Sequence, residues 1–486
     1  MNWLKPSQQT DKKDGAMRRK NKTLSRREIL KIGALISSGA YIEPFQEASG
    51  EAGKKTKILI IGAGLSGLTA ARKLSDCGLF EVVVLEGRDR IGGRIWTDRS
   101  SFPCPVDLGA SWIHGNKKNP LFALASAEHI KLLETENGVK PATFFSNGKV
   151  VDEVDRKRIE SAYRKVHNAA AEKQDSLKGK DIPLSLAFEQ VLQNIQLDPT
   201  EEAGVRHLIA AEIENEYSTD GDNLSFQEWD ADASFHGEDL LVPDGYDQLL
   251  KPLARGIEIK LKHVVTSIVY NKSGVTVRCD NGSEHKADFT VITLPLGVLK
   301  SGKIKFSPDL PARKKEAIDS LGMGVFDKTY LSFPSRFWPE DLAWIEYIGK
   351  NPQQWPMFLN LWKVESKPVL VAFNVGRFAR ELESKTDDEI ANLAMLVLRK
   401  MYGSSIPDPI ATKTTRWGAD PFALGSYSYV PVGKSAKLFD LLQEPVASRL
   451  FFAGEATNSS NYSAADAAYL SGIKVADELK KILENS

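Results

Sequence analysis

Residues 57–94 read KILIIGAGLSGLTAARKLSDCGLFEVVVLEGRDRIGGR, and no other stretch narrows the fold so far. Residues 57–61 are a short, apolar, β-branched strand. Gly62, Gly64 and Gly67 follow as G-x-G-x-x-G, residues 66–76 continue as a small-residue helix, and residues 82–85 are a second buried strand ending at Glu86. Gly62 permits the tight turn, Gly64 lets the backbone approach a pyrophosphate, and Gly67 lets the helix lie close to the strand. The helix N-terminus offers unpaired N–H groups and a partial positive charge to the phosphates. Glu86, at the strand tip, is placed to accept both hydroxyls of a ribose and would repel a 2′-phosphate. Strand, helix and acid agree, so the stretch reads as a dinucleotide site. In the G-R-D-R-I-G-G-R that follows, Gly92 and Gly93 build a second turn directly after the ribose acid, which favours FAD over NAD. Arg88, Gly93 and Arg94 join the candidate cofactor ligands, with Arg94 as a fork of donors for the pyrophosphate.

The chain has 486 residues, too many for one simple core, so two domains are expected. Hydrophobic residues at 42% and charged residues at 26% are an ordinary globular mix. No apolar run approaches a membrane span. The net charge of zero gives no footprint for nucleic acid. Cys77, Cys104 and Cys279 are scattered, and the seven histidines lack ligand spacing, so neither a disulfide framework nor a metal site is expected.

Residues 1–24 are polar and basic. Ser25-Arg26-Arg27-Glu28-Ile29-Leu30-Lys31 follows, and then a mildly apolar run over 32–42. This order reads as a twin-arginine export signal, the alternative being a basic tail on a cytoplasmic protein. Loss of residues 1–48 would leave 54 basic against 59 acidic residues, a balance that attracts cations weakly.

Further along, helical spacing predicts helices over 151–176, 182–195 and 201–217. Strands are expected at 257–262, 264–270, 274–279, 289–294, 328–333, 369–375 and 449–455, and a long final helix at 464–483. This order suits a Rossmann-type nucleotide domain split around an inserted α+β substrate domain. The expected segments are an export signal and linker over 1–54, nucleotide-domain parts over 55–115, 241–320 and 411–486, and substrate-domain parts over 116–240 and 321–410.

Several blocks in order, GAGLSGL, EGRDRIGGR, DLGASWIHG at 107–115, GSYSYV at 425–430 and LFFAGEAT at 450–457, make the chain from about residue 57 onward resemble the flavin amine oxidases, most of all the polyamine oxidases. The resemblance implies the amine oxidase fold, FAD, removal of hydride from the carbon beside an amine, and reoxidation by O2 to give H2O2. Glu455 matches the acid that contacts the FAD ribitol and pyrophosphate, though alone it reads as a helix cap. Val265 matches the residue whose backbone reads adenine, though by pattern it is a core strand residue. Lys328 matches the lysine that holds a water against flavin N5, whereas beside Asp327 on a strand it would ordinarily be a solvated edge. Trp417 and Tyr427 match aromatics near the flavin ring and otherwise read as core packing. No cysteine occupies the last 200 residues, so FAD is expected to be non-covalent.

For the substrate, Trp112 and His114 match the polyamine oxidase form of their block, and no arginine in 100–115 is present to take an amino-acid carboxylate. Among Glu212, Glu214 and Glu216, Glu214 aligns best with the acid that faces the amine. On an ordinary helix all three would be solvated charge. Two departures stand out. Ala464 falls where many relatives carry a second flavin-facing aromatic, with Tyr462 two positions early, as in a cage built from Tyr427 alone. Asp466 replaces a usual histidine. The expected reaction is oxidation of a polyamine C–N bond. The alternatives are oxidation of a monoamine or another amine, a desaturase-type flavoenzyme, or a non-catalytic flavin-binding protein.

Overall fold

A five-stranded parallel sheet runs in the order Leu450–Phe452, Phe289–Ile292, Thr56–Ile61, Phe80–Leu85, Glu258–Lys260. The computed structural model describes residues 55–135, 142–145, 147–230 and 235–484, so the twin-arginine segment lies outside the described residues. Ile58, Leu59 and Ile60 are wholly buried in the central strand, as a parallel strand covered on both faces requires. The Leu65–Asp76 helix packs against the terminal Ala465–Glu484 helix. A side chain at Gly472 would come within 2.4 Å of the Ser66 carbonyl, so small residues set this helix spacing. The terminal helix thereby seals the N-terminal βαβ unit although almost 400 residues separate them in sequence.

A six-stranded sheet follows the order Ala411–Thr414, Phe326–Ser332, Val369–Val375, Met357–Asn360, Trp344–Ile348, Ala142–Phe145. The expected boundary at 411 shifts here, because Ala411–Thr414 pairs with Phe326–Ser332 and not with the nucleotide sheet. A third sheet of four strands, Glu284–Ala287, Gly274–Cys279, Val265–Asn271 and Lys305–Ser307, stands beside the nucleotide sheet. The Glu153–Ser176, Leu184–Leu192 and Pro199–Leu208 helices pack on one another.

One expected helix is corrected. The pattern over 201–217 predicts a single helix. The chain instead starts with a capping box between Asp198 and Glu201, runs as an α-helix over Pro199–Leu208, and widens into a π-helix over Ile209–Glu214. The widening matters because it re-aims the side chains of the glutamate run. Among the described residues, no helix is long and apolar enough to cross a membrane.

Candidate active site

The carboxyl ends of the parallel strands build a cradle, the place where open α/β sheets bind ligands. A Cβ at Gly67 would lie 2.0 Å from the Gly62 carbonyl, so only glycine lets the helix sit here. At Gly64, by contrast, the nearest atom to an added Cβ is the Gly92 carbonyl at 3.9 Å. Gly64 is also the N-cap of the Leu65–Asp76 helix and offers no side-chain cap. An open, uncapped helix N-terminus over bare backbone fits a pyrophosphate. Glu86, 6% exposed, accepts the Ala63 N–H at 2.7 Å and the Arg88 N–H at 2.9 Å, which fixes its carboxylate at the strand tip where a ribose would lie. His263 N–H donates to the Glu86 carbonyl at 2.8 Å, tying the start of the Val265–Asn271 strand to this corner. Val265 itself is buried there.

Two arginines divide. Arg94 donates to the buried Glu455 at 2.9 Å and to the Ser426 carbonyl at 2.8 Å. Glu455 also accepts from the Ser428 hydroxyl at 2.5 Å. Glu455 therefore clamps the second glycine turn to the 426–428 segment, and the helix-cap reading falls away. Arg88, expected as a cofactor donor, is held in a bidentate pair with Asp420 at 2.7 and 2.9 Å and lies over the Phe422 ring. Its fork geometry is spent on that carboxylate. Asp420 lies 332 residues away, so no local pattern could have shown it.

The turn at 107–111 joins the cradle to the second sheet. A Cβ at Gly109 would collide with the Arg94 carbonyl at 1.7 Å, so the turn closes directly over the arginine. Lys328, 4% exposed, donates to the carbonyls of Asp107 at 2.9 Å and Gly109 at 2.6 Å and to the Ser111 hydroxyl. Burial pulls its ammonium down to about 8, against the pull of Asp107. Burial likewise pushes Asp107 up to about 6, opposed by Thr97 and Lys328. The solvated-edge reading of Lys328 is thus ruled out. Its three acceptors mean that holding a water would require exchanging one bond, and the rotatable Ser111 hydroxyl is the natural one to yield. Trp417 joins the same turn, its indole N–H donating to the Leu108 carbonyl at 3.0 Å.

From Lys328 a wall of rings extends. The ammonium lies 5.4 Å from the Trp112 ring centre. Trp112 meets Phe373 at 5.9 Å, Phe373 meets Phe326 at 5.4 Å, and Phe326 meets Tyr427 at 6.1 Å. Sequence reasoning missed Phe326 and Phe373. Strand alternation could have found both: Phe326 is two residues from Lys328 on one strand, and Phe373 is its direct partner on the neighbouring one. The Tyr427 hydroxyl donates to the Asn215 carbonyl at 2.8 Å. Burial raises it well above the ordinary phenol range, with Glu216 adding to the shift.

The glutamate run separates. Glu214 is 4% exposed and accepts the Gly221 N–H at 2.7 Å. Burial first, then Asp220 and Asp222, pushes it up to about 7 against the Gly221 and Gln353 hydrogen bonds. Its carboxyl is turned into the 219–222 loop, a correction to the expected amine-facing role. Glu216 is the exposed member. His114 pairs with Asp239 at 3.3 Å and is 48% accessible, yet it bears a desolvation cost, the signature of a cavity wall. Asp239 outweighs that cost and holds the imidazole above its ordinary value. Tyr462, the nearby candidate for a second ring, is 3% exposed and stacks on Phe439 at 4.5 Å. Ala464 leaves its own position without a ring.

A profile of flavin containing amine oxidoreductases matches residues 65–480. The chain belongs to this family. It is 37% identical to polyamine oxidase 4 of Oryza sativa subsp. japonica, over 87% of this chain and 88% of that protein. It is equally 37% identical to polyamine oxidase 2 of Arabidopsis thaliana, over 89% of each. Lysine-specific histone demethylase 1 homolog 2 of Arabidopsis thaliana is 37% identical too, but the match covers 59% of that protein. The fold matches a solved putrescine oxidase with a TM-score of 0.72 at 19% identity, over 88% of this chain and 99% of that one. The chain is thus an FAD-dependent amine oxidase of the amine oxidase fold.

Proposed function

We propose that this amine oxidase acts on polyamines, with FAD held without a covalent bond. The observation that carries this reading is the wall of Trp112, Phe373, Phe326 and Tyr427 leading away from Lys328. Aromatic faces suit a flexible polycation, because methylene segments pack on the rings while ammonium groups gain cation–π attraction. The similarity to two polyamine oxidases supports the same reading.

Gly62, Gly64, Gly67, Glu86, Gly93, Arg94, Val265 and Glu455 would hold the cofactor. Bound FAD supplies the hydride acceptor and passes the two electrons to O2, giving H2O2. The protein's part is placement. The reacting nitrogen enters neutral, because a protonated amine has no lone pair to assist loss of hydride from its neighbouring carbon. The ring wall sets the carbon against the cofactor and keeps water from that face, and Lys328 supplies a partly desolvated ammonium at the 107–111 turn. The imine product hydrolyses to an aldehyde and a shorter amine. Export through Arg26 and Arg27, with a cytoplasmic protein as the alternative, is part of the proposal.

An H2O2-release screen over spermine, spermidine, acetylated polyamines, putrescine, tyramine, amino acids and a methyllysine peptide tests it. The expected result is a kcat/KM at least about tenfold higher for a polyamine than for tyramine, roughly 1.4 kcal/mol of transition-state preference. Turnover confined to monoamines would refute it. Preference for the peptide would move the assignment to the demethylase branch, which the missing ring at Ala464 favours.

A further inference from the structure

The active-site acid of this chain is one turn position away from the one that alignment selects. Glu214 and Glu216 stand two residues apart where the π-helix ends, so their side chains leave the backbone on nearly opposite sides. Glu214 is used internally, its carboxyl accepting the Gly221 N–H at 2.7 Å. A side chain added at Gly221 would meet that carboxyl at 3.2 Å, so no room remains on that side for an amine. Glu216 is on the other side. It directly follows Asn215, whose carbonyl accepts the Tyr427 hydroxyl at 2.8 Å, and Ser218 reaches the Tyr427 carbonyl at 3.5 Å. The 215–218 turn therefore lies along the Tyr427 end of the ring wall. Glu216 is exposed, and its carboxylate has no hydrogen bond or salt bridge among the described residues.

We infer that Glu216 binds the distal ammonium of an extended di- or polycation whose reacting end lies toward Lys328, and that it sets the preference for such substrates over monoamines. The inference rests on the polyamine reading above. The charge of Glu216 is felt at both the Tyr427 hydroxyl and the His114 imidazole, which places it on the space those two side chains share. Asp239 is committed to His114 and to the Gly115 N–H at 2.9 Å, whereas Glu216 has its full charge to give. Being exposed, Glu216 can be replaced without disturbing packing.

Two measurements on the FAD-bound enzyme test the inference. The first compares KM for spermidine and for hexylamine in wild type and Glu216→Gln. The expected result is a ten- to hundredfold rise for spermidine, a change within about twofold for hexylamine, and kcat for spermidine within about threefold. The second is binding of decane-1,10-bis(trimethylammonium), against its mono-quaternary analogue, by titration calorimetry. Quaternary nitrogens have no lone pair, so binding is read apart from turnover. Glu216→Gln should erase the preference for the bis-cation, and raised salt should erode it in wild type only. An unchanged bis-cation preference, or equal KM rises for both amines, overturns the role of Glu216. If wild type binds the bis-cation preferentially through Glu216 but oxidises no polyamine, the activity assignment falls while the anchor stands.

Discussion

Replacing Glu214 by glutamine should make the protein more stable at pH 8 than wild type while leaving little gain at pH 5. The side chain is 4% exposed, and burial raises its carboxyl from 4.5 to about 7. The sign follows from proton counting. Between these two values the folded state holds a proton that the unfolded state has lost, so stability falls as pH rises through the window. At ~1.4 kcal/mol per unit the whole shift amounts to about 3 kcal/mol, of which about 2.5 kcal/mol develops between pH 5 and pH 8. Glutamine keeps an oxygen to accept the Gly221 N–H and carries no charge, so it escapes this penalty. Asp107, Asp327 and Asp466 are also raised by burial, but they contribute equally to both proteins and cancel in the difference.

The assay is urea unfolding of both proteins at the same saturating FAD concentration, at half-unit steps from pH 5 to pH 8. The expected result is a stability difference that rises with pH in favour of Glu214→Gln, by about 2.5 kcal/mol over the range. A difference that stays flat within about 0.5 kcal/mol would show that Glu214 is ionised throughout at little cost. It would then have a cationic or solvated environment, and the amine-facing role would return to it from Glu216.

Lys328→Met should slow flavin reduction or reoxidation by at least about tenfold with FAD still bound, roughly 1.4 kcal/mol, and stopped-flow traces of both half-reactions check it. Unchanged rates would reduce Lys328 to a brace for the 107–111 turn. Denaturation by heat or acid should release intact FAD into the supernatant, measurable by its absorbance, whereas flavin retained in the precipitate would contradict a non-covalent site. Residues 1–55 fused to a reporter active only when exported folded should lose export when Arg26→Lys and Arg27→Lys are combined. Equal export would show that the pair is not a signal.

What the sequence revealed and concealed follows from the range of the interactions involved. The nucleotide cradle was legible because its parts are local: Gly62, Gly64, Gly67 and Glu86 fall within 25 residues and meet through neighbouring strand ends. The strands at 274–279 and 369–375 were legible for the same reason, their apolar runs being bounded by turn residues. The Asp387–Tyr402 helix went unread although Thr386 and Glu389 carry a capping-box signature, a local signal that was there to use. Arg88 could not be assigned, since its partner Asp420 belongs to another segment. The glutamate run failed for a different reason. Its side-chain directions depend on whether the backbone bonds close at i−4 or i−5, as in the Asn215 N–H to Ala210 carbonyl bond of 3.1 Å, and residue type leaves no mark of that choice. An α-helix would have left the three carboxylates as solvated charge. The wider turn buries Glu214 and frees Glu216, so a single extra residue in one hydrogen-bonded ring selects which carboxylate is left to meet a cation.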